Sequence, residues 1–418
     1  MKGLVIWFVQ LLVSVSFLST SLADTFDDRL SHHLDFAKKS LLANISPEDA
    51  LPGAVIASPS RSNPDYYYHW VRDASLVMQV ILDLYAEETD YLLQQMYLQY
   101  LRDFTHVTRI QQLNSGFQGY GEPKYYVDGR AYEGPWGRPQ NDGPALRASV
   151  LIRFFNILKQ NGEMPDSELI QAIEQDLEFT QQNWANPSFD LWEEVKGDHF
   201  YTRMTQRKAL LDGEKWAKDM QNNHLLQVCA EQIPAVEVSL EGFKDYSKRN
   251  IYVTLNRVGG LDYKHSQLDI ANVLAILHSY NGDDYYSPSS FWVFNSAMDL
   301  EQSFRQLYPI NEQYPHLGTA IGRYPEDKYY GGNPWFLTTL ALAEYYYKLA
   351  VEMHDRTFVE KADKTLERVL FHAGPDGSMA EQMNLYTGFM ESARDLTWSY
   401  ASFITAMRAR KLAKQHNF

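Results

Sequence analysis

Leu146-Arg147-Ala148-Ser149-Val150-Leu151-Ile152-Arg153-Phe154-Phe155-Asn156-Ile157-Leu158 is the stretch on which the fold class turns. Its apolar residues Leu146, Val150, Leu151, Phe154, Phe155 and Leu158 return every three or four positions, the period of one side of an α-helix. The stretch before it, Leu113 to Asn141, has no such period. It is rich in glycine and aromatic residues and contains Gly134-Pro135-Trp136-Gly137-Arg138-Pro139, so it reads as a long loop, and long loops in compact chains usually carry function.

The helical period recurs on both sides. Upstream, Asp24 or Thr25 can cap a first helix bearing Phe26, Leu30, Leu34 and Leu41. A polar, proline-rich loop runs from Ile45 to Pro64, then an apolar segment from Leu76 to Tyr85, then a helix from Tyr91 to about Ile110. Downstream, helices are expected over Asp166–Trp184, His199–Leu211 and Glu214–Gln232, with a short strand at Tyr252–Leu255. Ser266 is placed to cap a helix carrying Leu268, Ile270, Val273, Leu274 and Leu277. Ser287-Pro288 and Asn333-Pro334 each set a proline at an expected first helical position, the latter before Trp335–Leu349. Arg356–Phe371 and Ala393–Arg410 complete about twelve helices. No linker divides the chain, so the expectation is one all-α domain, a closed ring of helix pairs over residues 24–418.

The 418 residues suffice for a large core, and 45% hydrophobic with 22% charged residues is ordinary for a globular chain. Aromatics are abundant at 14%, with 28 Tyr and 9 Trp, many beside polar residues, as in a sugar-binding cleft or a helical core. A net charge of −15 argues against nucleic acid or an anionic membrane as main partner. Lys2, the apolar run from Leu4 to about Leu18 and Ser21-Leu22-Ala23 form the pattern of a cleavable secretion signal over residues 1–23. Secretion or a periplasmic location is therefore expected, with no internal disulfide because Cys229 has no partner. Asn44-Ile45-Ser46 matches a glycosylation acceptor.

The chemistry gathers in a few stretches combining aromatics, arginine and acids at expected helix starts. They are Trp70-Val71-Arg72-Asp73, Trp136-Gly137-Arg138, Phe189-Asp190-Leu191-Trp192-Glu193-Glu194-Val195 and Gly322-Arg323-Tyr324-Pro325-Glu326-Asp327, with Met379-Ala380-Glu381-Gln382 bringing an acid and an amide. An arginine–aspartate pair can present donors and acceptors to sugar hydroxyls, or can be a structural ion pair. The three acids of 189–195 can likewise form a solvated face, or hold a carboxyl among apolar residues where a general acid keeps its proton. No metal cluster or phosphate cradle is evident, and His199, His265 and His316 stand isolated.

Taken in order, these stretches resemble glycoside hydrolase family 15, the glucoamylases, in their fungal form. The resemblance is carried by Pro64 to Asp73, Trp136 to Arg147, Asp190 to Val195, Gly322 to Asp327, Gly332 to Phe336, Glu381-Gln382 and Asp395 to Ala401. It implies an (α/α)6 barrel, a six-hairpin toroid, with a funnel-shaped pocket. It also implies exo-hydrolysis of α-1,4-glucans such as starch, glycogen and maltooligosaccharides, with release of β-glucose by inversion and no cofactor. By position, Glu193 takes the general-acid place and Glu381 the general-base place. Arg72, Asp73 and Arg323 match contacts to the terminal glucose, with Tyr66 and Trp398 lining the same pocket. Trp136 matches a stacking ring, Trp192, Glu194 and again Arg323 contacts to the next glucose, and Asp190 an electrostatic support.

Inversion requires the two carboxyls to lie about 6.5–9.5 Å apart, with water between base and sugar. The base should be ionised, helped by a hydrogen bond from Gln382. If 193–194 form a helical turn, their side chains diverge by about 100°. The sequence departs from the family pattern in lacking a starch-binding module and paired cysteines, and in Met383 following Glu381-Gln382, where many relatives have an aromatic. A monomer acting on soluble glucans is expected. The alternatives are a non-catalytic glucan binder on the same fold and an exo-glucosidase for another α-linkage.

Overall fold

The computed structural model describes residues 25–114, 116–283, 285–416 and 418; the leader expected over residues 1–23 lies outside them. The helices are α1 (Phe26–Ala43), α2 (Val71–Glu87), α3 (Tyr91–Leu113), α4 (Asp142–Gln160), α5 (Ser167–Asn183), α6 (Phe200–Asp219), α7 (Asn223–Glu241), α8 (Ala271–Ser279), α9 (Phe291–Leu307), the short α10 (Pro309–Gln313), α11 (Phe336–Met353), α12 (Thr357–His372) and α13 (Thr397–Gln415). Strands are short and antiparallel. β1 (His69–Trp70) pairs with β2 (Lys124–Tyr125), and β3 (Ser188–Phe189) with β4 (Val195–His199). β5 (Lys244–Asp245) pairs with β6 (Asn250–Ile251), β7 (Thr254–Gly260) adds to β4, and β8 (Gln382–Met383) pairs with β9 (Met390–Glu391).

Helices α2, α4, α6, α8, α11 and α13 pack each on the next, and α13 returns onto α2. Outside this ring, α1 leans on α13, α3 on α2, α5 on α4, α7 on α6, α9 on α8 and α12 on α11. This is the (α/α)6 barrel. Burial separates the two layers. Outer α12 buries a stripe, Phe358, Ala362, Leu366 and Val369, each large side chain contributing about 1.5–3 kcal/mol. Inner α11 is buried without a break from Phe336 to Tyr347, and inner α4 from Asp142 to Ile152. The one-sided stripe read on 146–158 is thus a face of a helix that is enclosed on all sides as far as Ile152, and exposed again at Asn156. A buried ion pair joins these two helices: Arg147 grips Asp176 with Nε and Nη2, both at 2.7 Å.

Several expected boundaries move. Thr25 does cap α1, with a reciprocal bond to Asp28. The helices expected over His199–Leu211 and Glu214–Gln232 are instead α6, unbroken to Asp219, and α7, which runs on to Glu241 with Pro234 inside it. Ser266 caps only a turn, through Leu268 N–H; Asp269, two residues before Ala271, accepts the first amide of α8. Pro288 and Pro334 precede their helices, which start at Phe291 and Phe336, so neither is a first helical residue. Proline's fixed φ suits an extended approach to a helix as well as its first turn.

Asn44 holds the two ends of the described chain together. It is 5% exposed, and its Nδ2 donates to Thr397 Oγ1 at 2.8 Å and Asp395 O at 3.2 Å. The atom a glycan would need is therefore engaged inside the fold, which corrects the reading of Asn44-Ile45-Ser46 as an acceptor. Asn44→Ala should cost about 1–3 kcal/mol of unfolding free energy by denaturant titration. Intact-mass analysis of protein from a glycosylating host should show no glycan on Asn44.

Candidate active site

The pocket forms where the inner helices begin. Trp70 precedes α2, Trp335 precedes α11 and Leu396 precedes α13, so the segments entering the inner helices meet at one end of the barrel. Between them lies a cavity of about 680 Å³. Tyr66, Arg72, Asp73, Trp136, Trp192, Glu193, Glu194, Arg323, Glu381 and Trp398, all singled out in the sequence, line it. Asp190 does not. A cavity of about 700 Å³ near α9, α10 and α12 is as large, but it has no indole ring, and its Glu301 is tied to Arg305, Thr319 and Tyr346.

Residues 190–194 form a tight turn between β3 and β4, not a helical one. Asp190 Oδ1 accepts the amides of Glu194 at 2.7 Å and Val195 at 3.0 Å, and Glu193 N–H donates to Asp190 O at 2.9 Å. Glu193 sits at φ +67°, in the left-handed region. The turn is enclosed by close backbone. A Cβ on Gly260 would lie 2.1 Å from Glu194 O, and one on Gly137 2.7 Å from Glu193 O. Glu193 and Glu194 diverge because the turn reverses between them. Burial works to raise the Asp190 carboxyl; Lys264, His199 and the two amides outweigh it and hold it below the ordinary aspartate range.

Glu193 Oε1 accepts Trp70 Nε1 at 2.8 Å and Gln140 Nε2 at 3.0 Å, with Arg72 Nη2 at 3.7 Å. The expected apolar surround of this carboxyl is therefore corrected to a ring of donors. Glu194 points the other way, to Arg323 Nη2 at 2.8 Å and Tyr324 OH at 2.6 Å. Burial raises its pKa against the pull of Arg323. Arg323 also clasps Asp327 through two 2.7 Å bonds. Arg72 takes Asp142 at 2.6 Å and Gln140 at 2.8 Å as its partners rather than its neighbour Asp73. Burial pushes Asp73 up to about 7 despite Arg72. Arg138 faces Glu122 and Glu326 bonds the backbone of His265 and Ser266, so these two belong to the scaffold.

Glu381 comes from the segment before β8 and is 1% exposed. Gln382 Nε2 donates to it at 3.1 Å, as expected, and so does Ser392 Oγ. Burial nevertheless raises its pKa to about 7, against the bonds from Ser392, Tyr66 and Gln382 and the charge of Arg323. The expectation of a plainly ionised base is corrected accordingly: desolvation dominates. Met383 is fully buried and does not line the cavity, so it acts on the core rather than on the pocket wall.

Aromatic rings make up much of the remaining wall. Tyr66 OH meets Tyr329 OH at 2.7 Å, and Trp192 stacks on Trp398 at 6.2 Å while its Nε1 donates to Asp269. Sequence reading missed Lys124. Among the described residues it makes no salt bridge; its Nζ lies over Tyr68, Trp70, Tyr132 and Trp136 at 3.6–4.5 Å, and burial lowers it to about 8. Only the aromatic density of 113–141 hinted at such a cage. Among the described residues no group of three or more His, Cys, Asp or Glu is placed to hold a metal.

Rings for the apolar faces of pyranoses, paired charges for hydroxyls and two separately held carboxyls suit the cleavage of a glycosidic bond. The folded state binds the Glu381 proton more tightly than the unfolded chain, where the value is 4.5. Its contribution to stability is thus full below about pH 4.5 and lost as pH rises through about 7. Glu381→Gln should therefore gain stability relative to the parent across that interval, by about 1–3 kcal/mol, in urea unfolding followed against pH. A difference that does not change with pH would refute the shift.

The family model described as Glycosyl hydrolases family 15 matches residues 32–359 and 356–408. A glucoamylase of Blastobotrys adeninivorans is 36% identical over 91% of this chain and 71% of its own length. A probable glucoamylase of Schizosaccharomyces pombe is 35% identical over 88% of this chain and 87% of its own. The structure of a glucoamylase from Saccharomycopsis fibuligera superposes with a TM-score of 0.84 at 29% identity, covering 93% of this chain and 96% of that one.

Proposed function

The chain belongs to glycosyl hydrolase family 15, and we propose that it is an exo-acting, inverting glucan 1,4-α-glucosidase. Its substrates are starch, glycogen and maltooligosaccharides, from whose non-reducing ends it releases β-D-glucose. The observation that carries this reading is that Glu193 and Glu381, from opposite halves of the chain, line one tryptophan-rich cavity.

Glu193 gives its proton to the glycosidic oxygen as the bond breaks. Glu381 takes a proton from water attacking the other face of the anomeric carbon. The indole and amide on Glu193 hold its carboxyl in one orientation. Ser392 and Gln382, both donating to Oε2, do the same for Glu381. Arg72, Asp73 and Arg323 grip the hydroxyls of the terminal glucose between Tyr66 and Trp398. Trp136 stacks on the chain, and Trp192 and Glu194 meet the next unit. Asp190 is a positioning residue that sets the turn presenting Glu193.

Residues 24–418 act as one catalytic unit, as a monomer, secreted after removal of 1–23. The continuous cluster of buried side chains from Leu30 to Ala413 supports a single unit.

Glu193→Gln and Glu381→Gln should each lower kcat on maltotriose by about 10²–10⁴-fold. NMR of the first product should show the β-anomer. A variant keeping more than about a tenth of the parent rate would free that residue of its role, and α-glucose as first product would exclude inversion.

A further inference from the structure

The barrel holds a second cavity of about 460 Å³, and Trp398 is the one residue common to its lining and that of the catalytic-end pocket. All six inner helices wall it, with Asp83 on α2, Arg153 on α4, Lys208 on α6, Ser279 ending α8, Lys348 on α11 and Arg408 on α13. Its far mouth reaches solvent, for the side chains of Arg153, Lys348 and Arg408 are 36%, 39% and 28% exposed.

The charges at this mouth cancel locally. Arg153 bonds Asp83 at 2.5 Å, Arg408 bonds Asp83 and Glu87, Lys348 faces Glu344 at 3.5 Å, and Lys208 bonds Asp212 at 2.9 Å. Burial lowers His278 to about 3, so its ring is neutral, and Tyr201 OH occupies its Nδ1 at 3.0 Å. An ion would find no spare countercharge there. The free polar groups are neutral. Among the described residues the Ser149 and Ser279 hydroxyls are buried without a partner and the Gln79 amide makes no hydrogen bond. A buried hydroxyl without a partner costs about 1–3 kcal/mol, so these groups call for an occupant that bonds them. Beside them Trp398 supplies an indole, and Leu146 and Leu277 apolar wall.

We propose that this rear cavity binds a neutral polyhydroxylated molecule of monosaccharide size. Hydroxyls of that molecule bond Gln79, Ser149 and Ser279, and its carbon face packs on Trp398. Since Trp398 belongs to both cavities, an occupant behind it shifts the ring that the front substrate meets. Glucose as the natural occupant, acting as a product that slows its own formation from behind, rests on the glucoamylase reading; the binding itself does not.

The probe is D-glucose, tested on the full chain in two ways. In crystals soaked with it, density for a sugar should lie in the rear cavity against Trp398 and within hydrogen-bond distance of Gln79 and Ser149. Ordered water alone there at saturating glucose overturns the proposal. In initial-rate measurements glucose should inhibit with both a slope and an intercept effect. Gln79→Ala, at a half-buried position, should weaken the intercept effect about tenfold and leave the slope effect within about twofold, as should the cavity-filling Ser149→Phe. Purely competitive inhibition of the parent, or an intercept effect unchanged in Gln79→Ala, overturns the coupling through Trp398. Should the chain release no glucose from α-glucans, the glucoamylase reading fails, and the crystal soak still decides the rear site.

Discussion

One lysine ties the catalytic turn to the barrel. Lys264, with a side chain only 3% exposed, lies 2.5 Å from Asp269 and 3.5 Å from Asp190. Asp190 organises the turn that carries Glu193 and Glu194, while Asp269 accepts the first amide of inner helix α8 and the indole of Trp192. Three buried charges therefore connect the turn, a pocket wall and a barrel helix. Removing one partner of such a cluster leaves an uncompensated charge, worth about 3–5 kcal/mol. The turn can then hold Glu193 at positive φ, because its backbone amides are committed to Asp190 before any substrate arrives.

The same logic extends round the pocket. Arg72 is committed to Asp142 and Gln140, and Arg323 to Asp327 and Glu194, so the cations facing the cavity are held by carboxylates already on the scaffold. Gln140 links two of these sets, accepting from Arg72 and donating to Glu193. Lys124 is held differently, by four rings, with no carboxylate in salt-bridge contact among the described residues. A neutral sugar can exchange hydrogen bonds with these groups without disturbing the charge balance.

The outer helices were legible because each buries one stripe, as Phe358, Ala362, Leu366 and Val369 do on α12. The inner ones were placed less well at their ends. A helix such as α11, buried on all sides, has no polar face to mark its limits, and the break expected at Leu211 fell inside inner α6; the end expected at Gln232 fell inside α7, an outer helix that runs on through Pro234. Proline misled at Pro288 and Pro334, since it favours the approach to a helix as readily as its first turn.

The sequence by itself determined the helical class through its period, and through the ordered stretches from Pro64 to Ala401 it pointed to the family and to the residues that line one pocket. Those signals are local, set by side chains a few positions apart. Only the tertiary structure decided which acid meets which donor. Asp142, Lys264 and Asp269 lie 70, 74 and 77 positions from their partners Arg72, Asp190 and Trp192, and Ser392 approaches Glu381 across a hairpin. The pKa of Glu381, the engagement of Asn44 and the rear cavity behind Trp398 all arise from burial, which depends on what the other helices cover and is not written in any one stretch of chain.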